Sequence, residues 1–168
     1  MKLIIFGEGE LENYLKKLAC EIDLEKDVYF FGFQKNPFKF ISKSTIYVFP
    51  SFYEGFPNAL FEAMTCGIPV ISSDCKSGPR EILAPETDLK IETKTIEFAK
   101  YGVLIPFCDD NYHNSHLRLT DKEKILAESI IDLYLSKELL KDYTGKAKER
   151  VKDFDKDKII LKYEDILK

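Results

Sequence analysis

Between residues 44 and 69 the chain leaves itself few ways to fold. Ser44-Thr45-Ile46-Tyr47-Val48-Phe49 is dense in β-branched and aromatic residues, the composition of a buried strand. Pro50-Ser51-Phe52-Tyr53-Glu54-Gly55-Phe56 follows as a tight loop, and Pro57 suits the first residue of a helix, where its missing N–H costs nothing. Leu60, Ala63 and Met64 fall at helical spacing, and Cys66-Gly67-Ile68-Pro69 supplies a Gly and then a Pro to end the helix. The segment predicts a strand, a Gly/Pro loop and a helix.

A helix that starts at the carboxyl end of a parallel strand is a ready anion site. Gly55 lets the backbone approach a ligand closely, and the N–H groups of Phe56, Asn58 and Ala59 are candidate phosphate donors. Glu54 and Glu62 suit a different partner. Ionised carboxylates only accept hydrogen bonds, and sugars offer hydroxyl donors.

Within E-G-F-P-x-x-x-x-E-A-M, the two glutamates resemble the E-x7-E signature of retaining glycosyltransferases of the GT-B fold, the glycosyl transferases group 1 family. There the motif lies in the C-terminal, donor-binding half. The resemblance implies an α/β fold, a Rossmann-like parallel sheet flanked by helices. It implies that Glu62 holds the ribose hydroxyls of a nucleotide. Glu54 would position the transferred sugar, and Gly55, Phe56, Asn58 and Ala59 would contact sugar and diphosphate.

Lys2-Leu3-Ile4-Ile5-Phe6 predicts a first strand, then Gly7-Glu8-Gly9-Glu10 and a helix striped by Leu11, Leu15, Leu18 and Ile22. The two glycines invite a dinucleotide fingerprint. Its third Gly is absent, Glu standing at position 12, and no acidic residue closes the next strand, so that reading is rejected. The stretch does resemble the V-G-x-G-x-x-x-x-L opening of the glycosyltransferase donor half. Asp27 to Phe31 predicts the second strand, closing on Gly32-Phe33-Gln34. By resemblance, the backbone of Phe33 and Gln34 would contact the nucleotide base. A short helix is expected from Pro37 to Lys43, with Phe38 and Ile41 inward.

Pro69 to Ser73 predicts a further buried strand, followed by Asp74-Cys75-Lys76-Ser77-Gly78-Pro79-Arg80-Glu81-Ile82-Leu83. This is similar to a family element set against the donor sugar. Its S-G-P-R-E-I-L form resembles enzymes that build bacterial capsule, O-antigen and related surface glycans from UDP-sugars. Arg80 is expected to pair with Glu81 or a neighbour, with a donor contact as the other option. Residues 84–100 read as a surface loop or hairpin, Tyr101 to Pro106 as a strand, and 107–120 as a second long loop. Thr120 with Glu123 forms a capping box before a helix striped by Leu126, Ile130, Leu133 and Tyr134. Two more helices follow, on Leu140, Tyr143, Ala147 and Val151, then on Ile159, Ile160, Tyr163, Ile166 and Leu167.

The 168 residues suit one domain over 1–168, and a net charge of −4 without a dense basic cluster disfavours nucleic acid as partner. No apolar run reaches bilayer-spanning length, and Met1-Lys2 leads straight into a strand, so no signal peptide is expected. Cys20, Cys66, Cys75 and Cys108 form no C-x-x-C pair, and His113 and His116 lack ligands at metal spacing; buried free thiols in a reducing cytosol and exposed loop histidines are expected. No cofactor and no metal are expected.

In the family, an N-terminal domain supplies the acceptor site, and an earlier strand-helix unit carries an Arg and a Lys that neutralise the diphosphate. Neither matches a residue here. The resemblance therefore implies an enzyme in its full-length context, transferring a hexose or N-acetylhexosamine from a nucleotide sugar to a glycan or lipid-linked acceptor. Its expected place is the cytoplasm, at the inner face of the membrane in the full-length enzyme. This chain alone is expected to be inactive and to self-associate weakly. A non-catalytic nucleotide-binding or protein-interaction module of the same fold is the alternative; retention of both glutamates argues against it. An epimerase or phosphorylase is disfavoured, the latter because no pyridoxal phosphate lysine motif is present.

Overall fold

The computed structural model describes residues 1–107 and 115–166, the side chains of 162, 163 and 165 apart. Cys108, His113 and Leu167, and the side chain of Tyr163, lie outside the described residues. The chain divides into two compact units, Met1–Lys39 with Asn111–Arg118, and Phe40–Asp110 with Leu119–Lys168.

The first unit is a single parallel pair with its connecting helix. Strand β1 (Leu3–Ile5) pairs with β2 (Val28–Phe30), Ile4 opposite Tyr29, and α1 (Glu12–Glu21) is the crossover. Only Ala19 is buried on α1; Leu11 and Ile22, expected on its inner stripe, are exposed. A stripe states which side of a helix is apolar, whereas a two-stranded sheet offers too little surface to cover it.

The second unit holds a four-stranded sheet ordered β3 (Tyr47–Phe49), β4 (Val70–Ser73), β6 (Val103–Ile105), β5 (Glu97–Phe98). The first three run parallel and β5 closes the edge antiparallel, Phe98 opposite Val103. Every residue of β4 is buried, as befits a central parallel strand covered on both faces. Successive side chains accordingly serve two cores. Val70 and Leu104 join Leu60, Ala63, Met64, Ile82, Leu83 and Ala147 on one face. Ile71, Val103 and Ile105 join Leu133 and Tyr143 on the other.

Helix α2 (Phe38–Ile41) buries Ile41 but leaves Phe38 exposed, against the expectation that both turn inward. Helices α3 (Asn58–Thr65) and α4 (Pro79–Leu83) follow β3 and β4. The chain ends in α5 (Asp121–Leu135), α6 (Lys137–Val151), a short 3-10 turn (Lys152–Phe154) and α7 (Lys156–Ile166). The Thr120 capping box is present: the Glu123 N–H donates to Thr120 Oγ1 at 3.2 Å, and the Thr120 N–H to Glu123 Oε2 at 2.6 Å. On α5 Leu133 is buried, whereas Tyr134, expected beside it, is half exposed. Ile160 and Ile166 on α7 are exposed too.

Candidate functional site

The expected site residues divide between the units. Phe33 and Gln34 lie in the first, just after β2. A turn built on Gly7 (φ 108°) and Gly32 (φ 60°) shapes this corner, the Gly7 N–H donating to the Gly32 carbonyl at 3.0 Å. The Phe33 N–H points to Glu8 Oε1 at 3.4 Å and the ring of Phe33 is 70% exposed, so it is not core. Gln34 turns its side-chain amide back onto the Phe31 carbonyl at 2.7 Å, leaving its backbone as the part available for a base.

Glu54, Gly55, Phe56, Asn58, Ala59 and Glu62 lie in the second unit, at the carboxyl end of β3 and on α3. Pro57 caps α3 rather than starting it: its ψ of 76° is not helical, and the helix runs from Asn58. The Asn58 N–H donates to the Phe56 carbonyl at 2.9 Å, so this expected phosphate donor is already engaged. Ala59 and Leu60 carry first-turn N–H groups that an α-helix leaves without intrahelical partners. At the other end Gly67 (φ 73°) closes a Schellman motif, with the Ile68 N–H on Ala63 and the Gly67 N–H on Met64.

Glu54 is half buried and oriented. Ser51 Oγ donates to its Oε1 at 2.6 Å, and Ser77 Oγ to its carbonyl at 2.6 Å. Glu62 is half buried on the second turn of α3; together with burial, its charge raises the Tyr47 phenol and the Cys66 thiol above their ordinary values. Phe56 stands on Phe61 (ring centroids 5.8 Å apart) and on Phe154 (5.7 Å), which anchors the loop to the chain after α6.

The element from Asp74 to Leu83 packs on the same loop. Tyr53 and Lys76 form a parallel bridge, and Ser73 Oγ bonds the Ser51 carbonyl. Gly78 (φ 93°) lies so near that a Cβ there would fall 2.5 Å from Pro57 Cδ and 3.0 Å from the Gly55 carbonyl oxygen. Ser77 has φ 57°, rare for a residue with a side chain. The S-G-P-R-E-I-L resemblance took in both residues, but not these contacts, because positive φ and cross-loop packing leave no local periodicity.

Arg80 is buried and pairs not with the adjacent Glu81 but with acidic neighbours in space. Its Nη2 meets Asp74 Oδ2 at 2.5 Å and Glu97 Oε2 at 2.7 Å, and Nη1 reaches Thr87 Oγ1 at 3.0 Å. Burial works against its charge, but the hydrogen bonds to Glu97 and Asp74 outweigh it and hold the guanidinium above its ordinary value. Beside it opens a cleft of about 390 Å³, walled by Asp74 to Gly78 on one side and Leu89 to Glu92 on the other.

Cys20 is exposed, contrary to the expectation of buried thiols, Cys66 is half buried, and Cys75 is buried. His116 is exposed. Among the described residues no group of three His, Cys, Asp or Glu gathers to hold a metal ion, and no helix is long and apolar enough to cross a membrane.

The family model described as glycosyl transferases group 1 matches residues 1–102. An uncharacterized glycosyltransferase of Methanocaldococcus jannaschii is 43% identical over 96% of this chain. A Campylobacter jejuni protein, the N-acetylgalactosamine-N,N'-diacetylbacillosaminyl-diphospho-undecaprenol 4-alpha-N-acetylgalactosaminyltransferase, is 33% identical over 97%. The chain spans 40% and 38% of the length of these two relatives. A crystal structure of an S. aureus TarM variant with fondaparinux, alpha-GlcNAc-glycerol and UDP matches it with a TM-score of 0.74 at 25% identity, over 98% of this chain and 28% of that one. The shared architecture is the GT-B one, a parallel sheet flanked by helices. With the model matching more than half of its residues and a relative this similar along nearly all of it, the chain belongs to the glycosyl transferases group 1 family.

Proposed function

We propose that the chain is the donor-binding part of a retaining glycosyltransferase that moves a hexose or N-acetylhexosamine from a UDP-sugar to a glycan or lipid-linked acceptor of bacterial surface polysaccharide. The observation that supports this reading most is the preset Glu54 loop. One carboxylate oxygen of Glu54 is taken by Ser51 and its backbone is held by Ser77, so the other oxygen is free to accept from a sugar hydroxyl in a fixed direction. The crystallised TarM variant holds UDP, and the name of the C. jejuni relative specifies an N-acetylgalactosaminyltransferase and a diphospho-undecaprenol-linked substrate.

In this reading Glu62 accepts the ribose hydroxyls and Glu54 orients the sugar. The amides of Phe56 and Ala59, at the positive end of α3, face the diphosphate. The C1–O bond to the diphosphate breaks, the acceptor hydroxyl oxygen joins C1 on the face the leaving group occupied, and its proton passes to the departing diphosphate. Negative charge grows on the departing UDP, so most of the rate enhancement is expected from cationic groups preorganised around it. The Arg and Lys of the family's clamp would come from outside this chain, as would the acceptor site. The whole enzyme would then work in the cytoplasm at the inner face of the membrane, and this chain alone would bind donor without turnover.

A titration of the chain with UDP, GDP and ADP, followed by amide NMR, tests the reading. UDP-selective, saturable shifts are expected at 32–34 and 55–62, and Glu62→Ala should weaken binding about tenfold or more, the loss of hydrogen bonds to a charged acceptor. Absence of shifts with every nucleotide at millimolar concentration would instead favour a non-catalytic module.

A further inference from the structure

We propose that Ser77 and Arg80 are positioning residues for the Glu54 loop, tying the segment that follows α4 to the loop that would hold the donor sugar. The inference rests on the donor-site reading for its functional half, while its mechanical half stands on the geometry alone.

The strut is the segment from Asp74 to Gly78, and both of its ends are fixed. At one end Asp74 is buried against Arg80, which also grips Glu97 and Thr87, and Asp74 Oδ2 accepts the Thr93 N–H at 2.6 Å. A buried guanidinium held by two carboxylates and a hydroxyl has one geometry available to it. Residues 87, 93 and 97 are thereby registered against residue 74. At the other end Ser77 donates to the Glu54 carbonyl, Gly78 rests against Pro57 and Gly55, and Lys76 bridges to Tyr53.

The second end also holds the strained residue. Ser77 holds φ 57°, a conformation that costs free energy and persists only where its surroundings over-determine it. Here the surroundings are the Glu54 carbonyl, which its hydroxyl meets, and Gly78, which rests against Pro57 and Gly55. The strain has a local effect: it aims Ser77 Oγ at the Glu54 backbone. The cleft between residues 74–78 and 89–92 has both walls set by the same ion network, so Arg80 also fixes its width.

Two mild variants test the proposal in the chain as it stands. Ser77→Ala removes one exposed hydroxyl, and Glu97→Gln keeps the shape but takes one charge from Arg80; neither empties the core. Without ligand, amide hydrogen exchange at Asn58, whose N–H is held by the Phe56 carbonyl, is expected to speed up about five- to tenfold in Ser77→Ala, the factor of one lost hydrogen bond. A smaller change in the same direction is expected for Glu97→Gln, with the thermal midpoint nearly unmoved. Affinity for UDP should stay within about twofold, while the added affinity of a UDP-sugar over UDP falls by the exchange factor. Changes confined to residues 74–98 would overturn the proposal, as would equal losses for UDP and UDP-sugar that track a falling midpoint. If the chain binds no nucleotide, the function proposed above fails, and the exchange measurement alone still decides whether the strut exists.

Discussion

At Gly78 a single methyl group is enough to test the packing of the two loops. Gly78→Ala places a Cβ 2.5 Å from the Pro57 ring at a φ of 93°. We expect a loss of about 1–3 kcal/mol, from overpacking and backbone strain together. Gly145 is the control. It sits exposed in the middle of α6 with nothing within 4 Å of an added Cβ, so Gly145→Ala should stabilise by about 0.5–1 kcal/mol. Urea midpoints of the two variants should therefore move in opposite directions. The same scale shows which neighbours the expected pairing of Arg80 takes. Its neighbour Glu81 was the obvious partner, but α4 turns Glu81 outward and brings in Asp74, six residues back, and Glu97, seventeen ahead. Charge pairing across a fold cannot be read from adjacency.

The elements themselves were easier to anticipate, because periodicity and caps are local. The order of strand, loop and helix from 44 to 69, the Gly67 stop and the Thr120 capping box follow the local pattern, although the strand is shorter and the helix starts at Asn58, one residue after Pro57. Burial depth was less legible: Tyr134 and Phe38 lie on apolar stripes that the tertiary structure leaves half exposed. One tertiary cap had no sequence signal at all. Arg150, near the end of α6, donates to the carbonyls of Ile82 at 2.9 Å and Glu81 at 2.8 Å, closing the C-terminus of α4, and lies 4.7 Å over the Phe154 ring. Arg150→Ala should cost about 2–3 kcal/mol, as two charge-assisted bonds are lost. Thr120→Ala should cost about 1 kcal/mol, the usual worth of an N-cap. Arg150→Lys should recover less than half, since an ammonium cannot serve both carbonyls and a ring face together. Chemical denaturation of the three variants ranks them.

For the molecule as a whole, the second unit carries the buried cores, and its response to alkali can be predicted. Tyr143 is 2% exposed, donates to the Ala99 carbonyl at 3.0 Å, and is pushed up to about 12 from 10.0, first by burial and then by the charge of Asp142. The folded state therefore keeps its proton where the unfolded chain would lose it. The stabilisation is complete below pH 10 and is lost as pH rises from about 10 to about 12, amounting to about 2–3 kcal/mol. Tyr143→Phe should flatten that limb of a stability-versus-pH curve, after a cost of about 1 kcal/mol at neutral pH for the missing hydrogen bond. The aromatic triad under the Glu54 loop has an optical consequence. The chain contains no tryptophan, so excitation at the red edge of indole absorption finds no emitter. Phe154→Trp would put a sole indole beneath Phe56, against which its parent ring already packs. Any ligand that stills the loop would then announce itself as a change in emission from one known place.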